Sequence, residues 1–272
     1  MSHSTISLGL GLGGGKSATS SGSPGGGTPF VNAYSVSFDG VDDYGVGIPG
    51  ILANTTNYSG SIWFKWPMGW STPPHYVGLL SSQNGSQIYL YPNGNIFLGR
   101  ATGAYRGFGH NVTLSGVVTS NEWCHFVWTK ERNSDGAGGW NNPTFSYYID
   151  GSLHSTSTSA TDAQGVLFDP DIGSETGKCW FGVGYNVSGQ TPGIIDEVAS
   201  WTKKLSATEV GEIYNGGAPT DLTGLAPRNW WRMGDGTEGA SGTTVYDMGS
   251  SSGTTTDVTL HNGPSYSSDV PS

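Results

Sequence analysis

The chain has 272 residues, of which 45 are glycine, 12% are charged and 12% are aromatic. This mixture supports few helices but many short strands with glycine-rich turns, and the length suits one large β domain with appendages. The formal net charge of −10 at pH 7 opposes binding to nucleic acid and suits a soluble surface. No stretch approaches the roughly 20 apolar residues of a membrane-spanning helix, so no membrane insertion is expected.

Residues 1 to about 30 are rich in Gly and Ser, as in GLGLGGGK and SPGGGTP, and carry few large apolar side chains. Such a segment buries too little surface to offset the entropy lost on ordering. We therefore predict a flexible docking arm over residues 1–30, held in place by a neighbouring subunit of an assembly. The opening residues also have no basic region before their weakly apolar run, so no secretory signal is expected.

From residue 33 the pattern is that of β-strands. The segment YSVSF (34–38) alternates apolar and polar residues, whereas SIWFKW (61–66) is apolar on both parities, as in a central strand covered on both faces. QIYLYPNGNIFLGR (87–100) predicts a hairpin at its Asn-Gly pair, and FSYYIDGSLHST (145–156) predicts one at its Asp-Gly pair. Further strand-like segments follow at similar spacing, which indicates a sandwich or a barrel.

One short helix is predicted after the last of these strands. The sequence SATE (206–209) is a capping box, in which the Ser hydroxyl accepts from the Glu backbone N–H while the Glu side chain reaches back. Val210, Ile213 and Tyr214 then fall at helical spacing, and Gly216-Gly217 ends the helix.

The chain contains two cysteines, Cys124 and Cys179, each within a strand-like segment. Two cysteines do not make a disulfide framework. They pair if their strands are adjacent, and otherwise behave as small buried apolar side chains. The sequence favours free thiols without deciding between the two.

Two long motifs carry a family resemblance. YSVSFDGVDDY (34–44) and IIDEVASWTKKLSATEVGEIYNGG (194–217) resemble the two ends of a laminin-G-like domain of the concanavalin A-like lectin and glucanase superfamily. The resemblance spans roughly residues 31–217. It implies an all-β fold: a two-sheet antiparallel jelly-roll sandwich with one short helix, here with a Gly/Ser-rich N-terminal arm and a C-terminal extension.

The extension, residues 218–272, contains NWWRMGDGTEGASGTTVYDMGSSSG (229–253). This stretch resembles the segment that normally precedes the first strand of laminin-G-like sequences, so the strand order appears circularly permuted. Because a sandwich lacking that strand would leave an open edge, we predict that Trp230–Met233 pairs as an edge strand beside Tyr34–Phe38. The alternative is a second, truncated module or a linker to another protein.

The acidic turn after the first strand is a candidate calcium site. Asp39, Asp42 and Asp43 place three carboxylates within five residues, and calcium takes six to eight oxygen ligands. In the resembled family a calcium ion often lies near the sandwich rim, and its motif would place Asp196 beside the opening strand. We therefore predict a calcium site at Asp39, Asp43 and Asp196. The alternative is that these residues are simply turn formers and caps.

Sugar binding requires exposed aromatic faces beside polar groups. Trp70, Tyr105 and Trp140 lie in loop-like segments whose Gly and Pro residues argue against strand interiors. We predict that these three rings contact carbohydrate. The alternative for each ring is that it folds inward and closes the edge of the sandwich.

Catalytic motifs are not found. The paired carboxylates of a related glucanase would share one strand face at close spacing, and neither Glu122 nor Asp196-Glu197 fits that spacing. There is also no GxSxG, HExxH or phosphate-binding loop. The chain is therefore predicted not to be an enzyme.

The arm and the ending HNGPSYSSDVPS (261–272) resemble structural proteins of marine tailed bacteriophages. The sequence hypothesis is a non-catalytic virion protein that decorates the particle surface or adheres to the host. It would join other virion proteins through its arm and contact host-surface glycans. The alternative is a secreted or cell-surface bacterial carbohydrate-binding module, which would be extracellular. A third hypothesis is a glycoside hydrolase.

Overall fold

The computed structural model describes residues 30–47, 57–67, 77–82, 86–91, 95–102, 105–112, 119–132, 143–158, 178–183, 190, 192–250 and 256–272. Apart from Phe30, the predicted arm lies outside these residues. Within them the chain forms sixteen strands, the helix α1 (Ala207–Tyr214) and two 3₁₀ helices, Asn215–Gly217 and Thr223–Leu225. The strands are β1 Ser35–Asp39, β2 Tyr44–Gly47, β3 Tyr58–Lys65, β4 Val77–Ser82, β5 Ser86–Leu90, β6 Ile96–Thr102, β7 Tyr105–Val112, β8 Trp123–Glu131, β9 Thr144–Ile149, β10 Ser152–Ser157, β11 Cys179–Phe181, β12 Pro192–Trp201, β13 Asn229–Trp231, β14 Thr244–Val245, β15 Val258–His261 and β16 Ser265–Ser267.

The strands form two antiparallel sheets, as the sequence predicts. Sheet I has the order β10-β9-β8-β3-β12-β1-β16, with β13 also paired to β12. Sheet II has the order β14-β15-β2-β11-β4-β5-β6-β7. The arrangement is the expected jelly-roll sandwich with one short helix, and β3 occupies the predicted central position, with all but its last residue buried.

The main core lies between the two sheets and draws on both. Phe64 and Phe126 come from sheet I, and Leu98 and Phe181 come from sheet II. Gly60 shows how tightly this core is packed, because a Cβ there would lie 2.1 Å from the Trp128 indole. Any side chain at that position would have to displace an indole ring in the interior.

Both predicted hairpins form. Strands β5 and β6 pair in register from Ser86↔Arg100 to Leu90↔Ile96, although the Asn-Gly pair between them lies outside the described residues. Strands β9 and β10 are joined by Asp150 (φ 48°) and Gly151 (φ 74°). Two successive positive φ angles are what a tight hairpin turn of this type requires, and Asp-Gly supplies them at low cost.

The outer face of sheet I carries α1. The capping box is present: Glu209 N–H donates to Ser206 Oγ at 3.2 Å, and Ser206 N–H donates to Glu209 Oε2 at 2.7 Å. Val210 and Ile213 are buried against the sheet, as their spacing predicts, whereas Tyr214 is half-buried. The helix ends in Asn215, which takes a left-handed conformation.

The C-terminal extension is built into both sheets. Strand β16 forms the edge of sheet I beside β1, and β14 and β15 extend sheet II beyond β2. The extension therefore supplies edge strands, but the predicted position of Trp230–Met233 is wrong. Strand β13 (Asn229–Trp231) pairs with β12 at Val198–Ser200, not with β1, because β16 takes the place beside β1.

Cys124 and Cys179 are both buried free thiols. They lie in different sheets, on β8 and β11. In the part of the chain that the structure describes, no helix has the length and apolarity needed to cross a membrane.

Candidate functional site

A cleft of about 420 Å³ opens on the outer face of sheet I, beside the C-terminal end of α1. It combines aromatic rings with charged and amide side chains. The described residues that line it are Trp63, Lys65, Asn121, Glu122, Trp123, Asp150, Tyr214, Gly216, Gly217 and Ser272. Its size lies within the range of small-molecule binding sites.

The register of β3 and β8 explains why these side chains meet. Trp63 pairs with His125, and Lys65 pairs with Trp123. Successive side chains along a strand alternate between faces, and the neighbouring residues Phe64 and Phe126 point into the core. All four cleft-side residues therefore lie on the outer face of sheet I.

Three rings form a fixed stack at this position. The ring centroids of Trp63 and His125 are 4.5 Å apart with an interplanar angle of 20°. Tyr214 lies 5.7 Å from Trp63 at 15° and 6.0 Å from His125 at 12°. Because Trp63 is 2% exposed, it is held rigidly in the floor, and the half-buried Tyr214 presents more of its ring to the cleft.

His125 beneath the cleft is neutral. Burial lowers the pKa of its imidazole to about 3, and Nε2 lies 2.8 Å from Ser61 Oγ. Its Nδ1 has no hydrogen-bond partner among the described residues. The imidazole therefore adds a ring to the stack and no charge to the cleft.

Asp150 is oriented by the backbone of His125. His125 N–H donates to Asp150 Oδ1 at 2.9 Å, and Asp150 N–H donates to the His125 carbonyl at 2.9 Å. Burial raises the pKa of Asp150, while the His125 hydrogen bond opposes that rise. Gly151 packs closely against Tyr214, since a Cβ there would lie 2.7 Å from the Tyr214 ring.

Asp269 braces the opposite wall. Its Oδ2 accepts from Lys65 Nζ at 2.6 Å, and its Oδ1 accepts from Trp123 Nε1 at 2.9 Å. These two bonds fix the Trp123 indole and neutralise the Lys65 ammonium. Among the described residues that line the cleft, Glu122 is exposed and Asp150 half-buried, and together they leave a net negative charge.

The sequence alone did not identify this cleft. Trp63 and Trp123 lie in segments that the sequence pattern predicts to be core strands. The helical spacing likewise predicts that Tyr214 faces the core. The pairing of β3 with β8 brings them together, and nothing in the local pattern specifies that pairing. The one local signal was the Asp-Gly turn at 150–151, which places a carboxylate at the end of a strand.

None of the three predicted sugar contacts is among the described residues that line the cleft. Trp70 and Trp140 lie outside the described residues. Tyr105 does not lie in a loop, as its glycine-rich surroundings suggested, but begins β7 at the edge of sheet II. The pairing of β7 with β6 tolerates these glycines because it is a backbone ladder. Sugar binding at these three positions stays a prediction.

The acidic turn brings together part of the predicted calcium site. One carboxylate oxygen from each of Asp39, Asp42 and Asp43 lies within 4.8 Å of the others. The turn is also held by its own bonds: Val41 N–H donates to Asp39 Oδ1 at 2.7 Å, and Asp39 N–H donates to Asp43 Oδ2 at 3.0 Å. The three carboxylates suit calcium in kind, and calcium binding here stays a prediction.

Asp196 does not join that turn, which corrects its predicted place in the metal site. The register pairs Asp39 with Pro192, so four residues, or about 13 Å of strand, separate Asp196 from the turn. Asp196 is fully buried, and its two oxygens accept from Asn32 Nδ2 at 3.0 Å and Glu197 N–H at 2.8 Å.

Asp196 and Glu197 instead form a buried acid pair at a bulge. Strand β12 inserts one extra residue between its partners for Trp63 and Ser61, with Glu197 at φ 44°. Such a bulge re-aims side chains, and Glu197 Oε1 here accepts from Arg232 Nε at 3.0 Å. Burial raises the pKa of Glu197 to about 7, against the opposing effect of Arg232, and burial together with Glu197 raises the pKa of Asp196.

The same cluster ties the start of the domain to its C-terminal extension. The Arg232 guanidinium lies 4.3 Å from the Phe30 ring centroid and 5.2 Å from that of Trp230. Asp235 Oδ2 accepts from the backbone N–H groups of Ala33 and Tyr34. Arg232 thus pairs with Glu197, one of the two buried acids, and the cluster is structural.

Comparison with known proteins establishes the family. The profile of a laminin G-like family, described as the concanavalin A-like lectin/glucanases superfamily, matches residues 39–211. That match covers more than half of the chain, so this protein belongs to the concanavalin A-like lectin/glucanases superfamily. No curated protein matches the sequence.

A solved structure shares the fold. A proposed carbohydrate-binding protein from Bacteroides ovatus aligns with a TM-score of 0.58 at 16% identity, over 89% of this chain and 62% of its own. This chain thus spans less than two thirds of that protein. A heptameric SAP-like pentraxin from Limulus polyphemus gives 0.45 at 12% identity, over 67% and 82% of the two chains. Domain 4 of an arabinanase from Geobacillus stearothermophilus, solved with arabinotriose, gives 0.44 at 18%, over 66% and 76%.

Proposed function

We propose that this protein is a non-catalytic carbohydrate-binding module that acts in adhesion, and that the cleft on sheet I is its sugar site. The observation that supports the site is the combination of rings and carboxylates in one cleft of about 420 Å³. A sugar ring packs its C–H faces on an aromatic ring, and its hydroxyls donate to carboxylates. Tyr214 provides a ring, and Asp150 provides an oriented carboxylate.

The Bacteroides ovatus protein is described as carbohydrate-binding, which is consistent with this proposal.

The absence of catalysis is supported by the geometry of the acids. Asp196 and Glu197 are buried within a structural cluster, so they are withdrawn from any substrate. Asp150 is engaged with the His125 backbone.

The proposal is tested by screening the full chain on an array of oligosaccharides and measuring the affinity of the hits by calorimetry. Tyr214→Ala should weaken binding by about tenfold or more, as expected for the loss of a ring at the centre of a site. Tyr246→Ala is the matched control, since Tyr246 is 39% exposed and lies away from the cleft. Equal affinities of the two variants would contradict the site, and release of reducing ends from a bound sugar would contradict the absence of catalysis.

We further propose that the module serves on the surface of a virion, joined to other virion proteins through its N-terminal arm. What supports this is the resemblance of the arm and of residues 261–272 to phage structural proteins. Residues 1–28 carry few large apolar side chains, so they can contribute little to the core of the domain. The truncated chain should therefore keep its melting temperature but no longer assemble.

Mass spectrometry of purified particles tests the location. Recovery of the full chain, and loss of the truncated chain, from the particle fraction is the expected result. Recovery of the full chain in the medium of an uninfected bacterium would favour a secreted or cell-surface module instead.

A further inference from the structure

Resting on the proposed function of the cleft, we infer which sugars it selects: the cleft takes a non-acidic saccharide, and binds a protonated amino sugar more tightly than a neutral one of the same length. Acidic sugars are excluded. The selection depends on the charges of the cleft walls and on the ion pairs and hydrogen bonds that each charged side chain already makes.

The positive charge in the cleft is already neutralised. Lys65 is the one basic side chain among the described residues that line it. Its Nζ lies 2.6 Å from Asp269 Oδ2, and the side chains of Lys65 and Asp269 are 25% and 41% exposed. Asp269 also receives the Trp123 indole N–H at 2.9 Å, which holds the carboxylate over the ammonium. A ligand carboxylate or sulfate that approaches Lys65 also meets the Asp269 carboxylate, which repels it.

The negative charge is available. Glu122 is exposed at the rim, and none of the ion pairs between described residues includes it. Asp150 receives the His125 N–H on Oδ1 alone, so its other oxygen can accept from a ligand. Two carboxylates without a matching cation attract an ammonium group and repel an anion at this range.

The aromatic rings also favour a cationic ligand. Cations are attracted to the faces of Trp and Tyr rings, most strongly where water is excluded. Trp63 and Tyr214 stack 5.7 Å apart beside Asp150, and the neutral His125 beneath them adds no opposing charge. Because the rings and carboxylates are already held by the fold, little ordering is needed when a ligand binds.

The test uses three oligosaccharide probes of equal length: a glucosamine oligomer, a neutral β-glucan oligomer and an alginate oligomer. Affinities are measured by calorimetry on the full chain at low and at high salt. The expected order is glucosamine above neutral glucan, with alginate unbound, and the advantage of glucosamine should shrink at high salt. Glu122→Lys should lower affinity for the glucosamine oligomer by about tenfold and leave the neutral oligomer within about twofold.

The matched control is Glu212→Lys, the same charge reversal on the exposed side of α1. It should change none of the affinities by more than about twofold. Alginate bound more tightly than the other two, and lost in Tyr214→Ala, would overturn the charge selection and leave the proposed function standing. An equal loss of affinity for the glucosamine oligomer in Glu122→Lys and Glu212→Lys would also overturn the charge selection. Failure of every saccharide to bind would refute the proposed function itself.

Discussion

The outer face of sheet I is used in two different ways along its length. One half, the covered half, lies under α1 and the segments that follow it, where Val127, Tyr148, Ala199 and Trp201 pack against Leu205, Val210, Ile213, Leu222 and Trp230. The other half is the cleft, where rings of the same types lie beside Asp150, Glu122 and Lys65. Strand β8 contributes to both halves, with Val127 in the covered half and Trp123 at the cleft.

The difference shows how one sheet serves both stability and binding. In the covered half the packed side chains are apolar or aromatic, so burial is the main contribution. In the cleft the rings are fixed by stacking and by Asp269, and the helix ends before it covers them, because Asn215 takes a left-handed conformation. Aromatic residues that look the same in the sequence therefore have two roles: some pack in the core, and others line the cleft.

The largest effect is expected from ending the chain at Gly217. That change removes β13 to β16, and with them Trp231, Val258 and Leu260 of the main core. The edges of β1 and β2 would be exposed, which favours aggregation. We expect no cooperative unfolding transition by calorimetry and loss of monomer by light scattering. An intact, monomeric chain with the melting temperature of the full protein would show that the extension is not part of the sandwich.

Trp201→Ala and Tyr214→Ala compare the two halves directly. Trp201 is 2% exposed in the covered half, so its truncation should cost about 3–5 kcal/mol of unfolding free energy. Tyr214 is half-buried at the cleft, and its truncation should cost about 1 kcal/mol. Denaturant unfolding measures both. Comparable losses in the two variants would mean that Tyr214 is a core residue and that the halves do not differ.

Asp196→Asn tests the buried acid pair. The pKa of Glu197 is raised from 4.5 to about 7, so the folded state keeps a proton that the unfolded state releases between those values. The acid pair therefore contributes most to the stability of the folded state at low pH. That contribution is lost as pH rises from about 4.5 to about 7. Asp196→Asn leaves an amide that can pair with Asn32 Oδ1, which has no partner among the described residues.

The variant should melt higher than the natural protein at pH 8 and lose part of the fall in melting temperature between pH 5 and pH 8. Thermal unfolding at matched ionic strength across that range measures the difference. A variant that melts lower at every pH would show that the Asp196 carboxylate is ionised and stabilising, as a metal ligand would be.

The smallest effect is expected at the acidic turn. If Asp39, Asp42 and Asp43 bind calcium, adding the ion after chelation should raise the melting temperature by mass action, and Asp43→Asn should remove the rise. Asp221→Asn is a control at another acidic turn, where Asp221 Oδ1 accepts from Thr223 N–H. Identical melting curves with chelator and with calcium would leave these residues as turn formers alone.

The sequence predicted the sandwich, the Asp-Gly hairpin and the capped helix because each depends on a local signal. Alternation marked β1, φ preferences marked the turn at 150–151, and Ser206 with Glu209 marked the helix start. Sites that depend on register were not predictable in the same way. The family resemblance placed Asp196 with Asp39 because its motif lies beside the opening strand, whereas the register of β1 with β12 pairs Asp39 with Pro192. Equally, Trp63 and Trp123 meet at the cleft through the pairing of β3 with β8.

The most direct test of the account is a titration of the ¹⁵N-labelled full chain with the saccharide that binds best, observed through its tryptophan indole N–H signals. Trp63 and Trp123 lie at the cleft, whereas Trp201 lies in the covered half and Trp231 donates its indole N–H to the Thr256 carbonyl in the core. If the cleft binds sugar, the Trp63 and Trp123 signals should shift saturably, and those of Trp201 and Trp231 should stay unchanged. Saturable binding that leaves the Trp63 and Trp123 signals in place would contradict it.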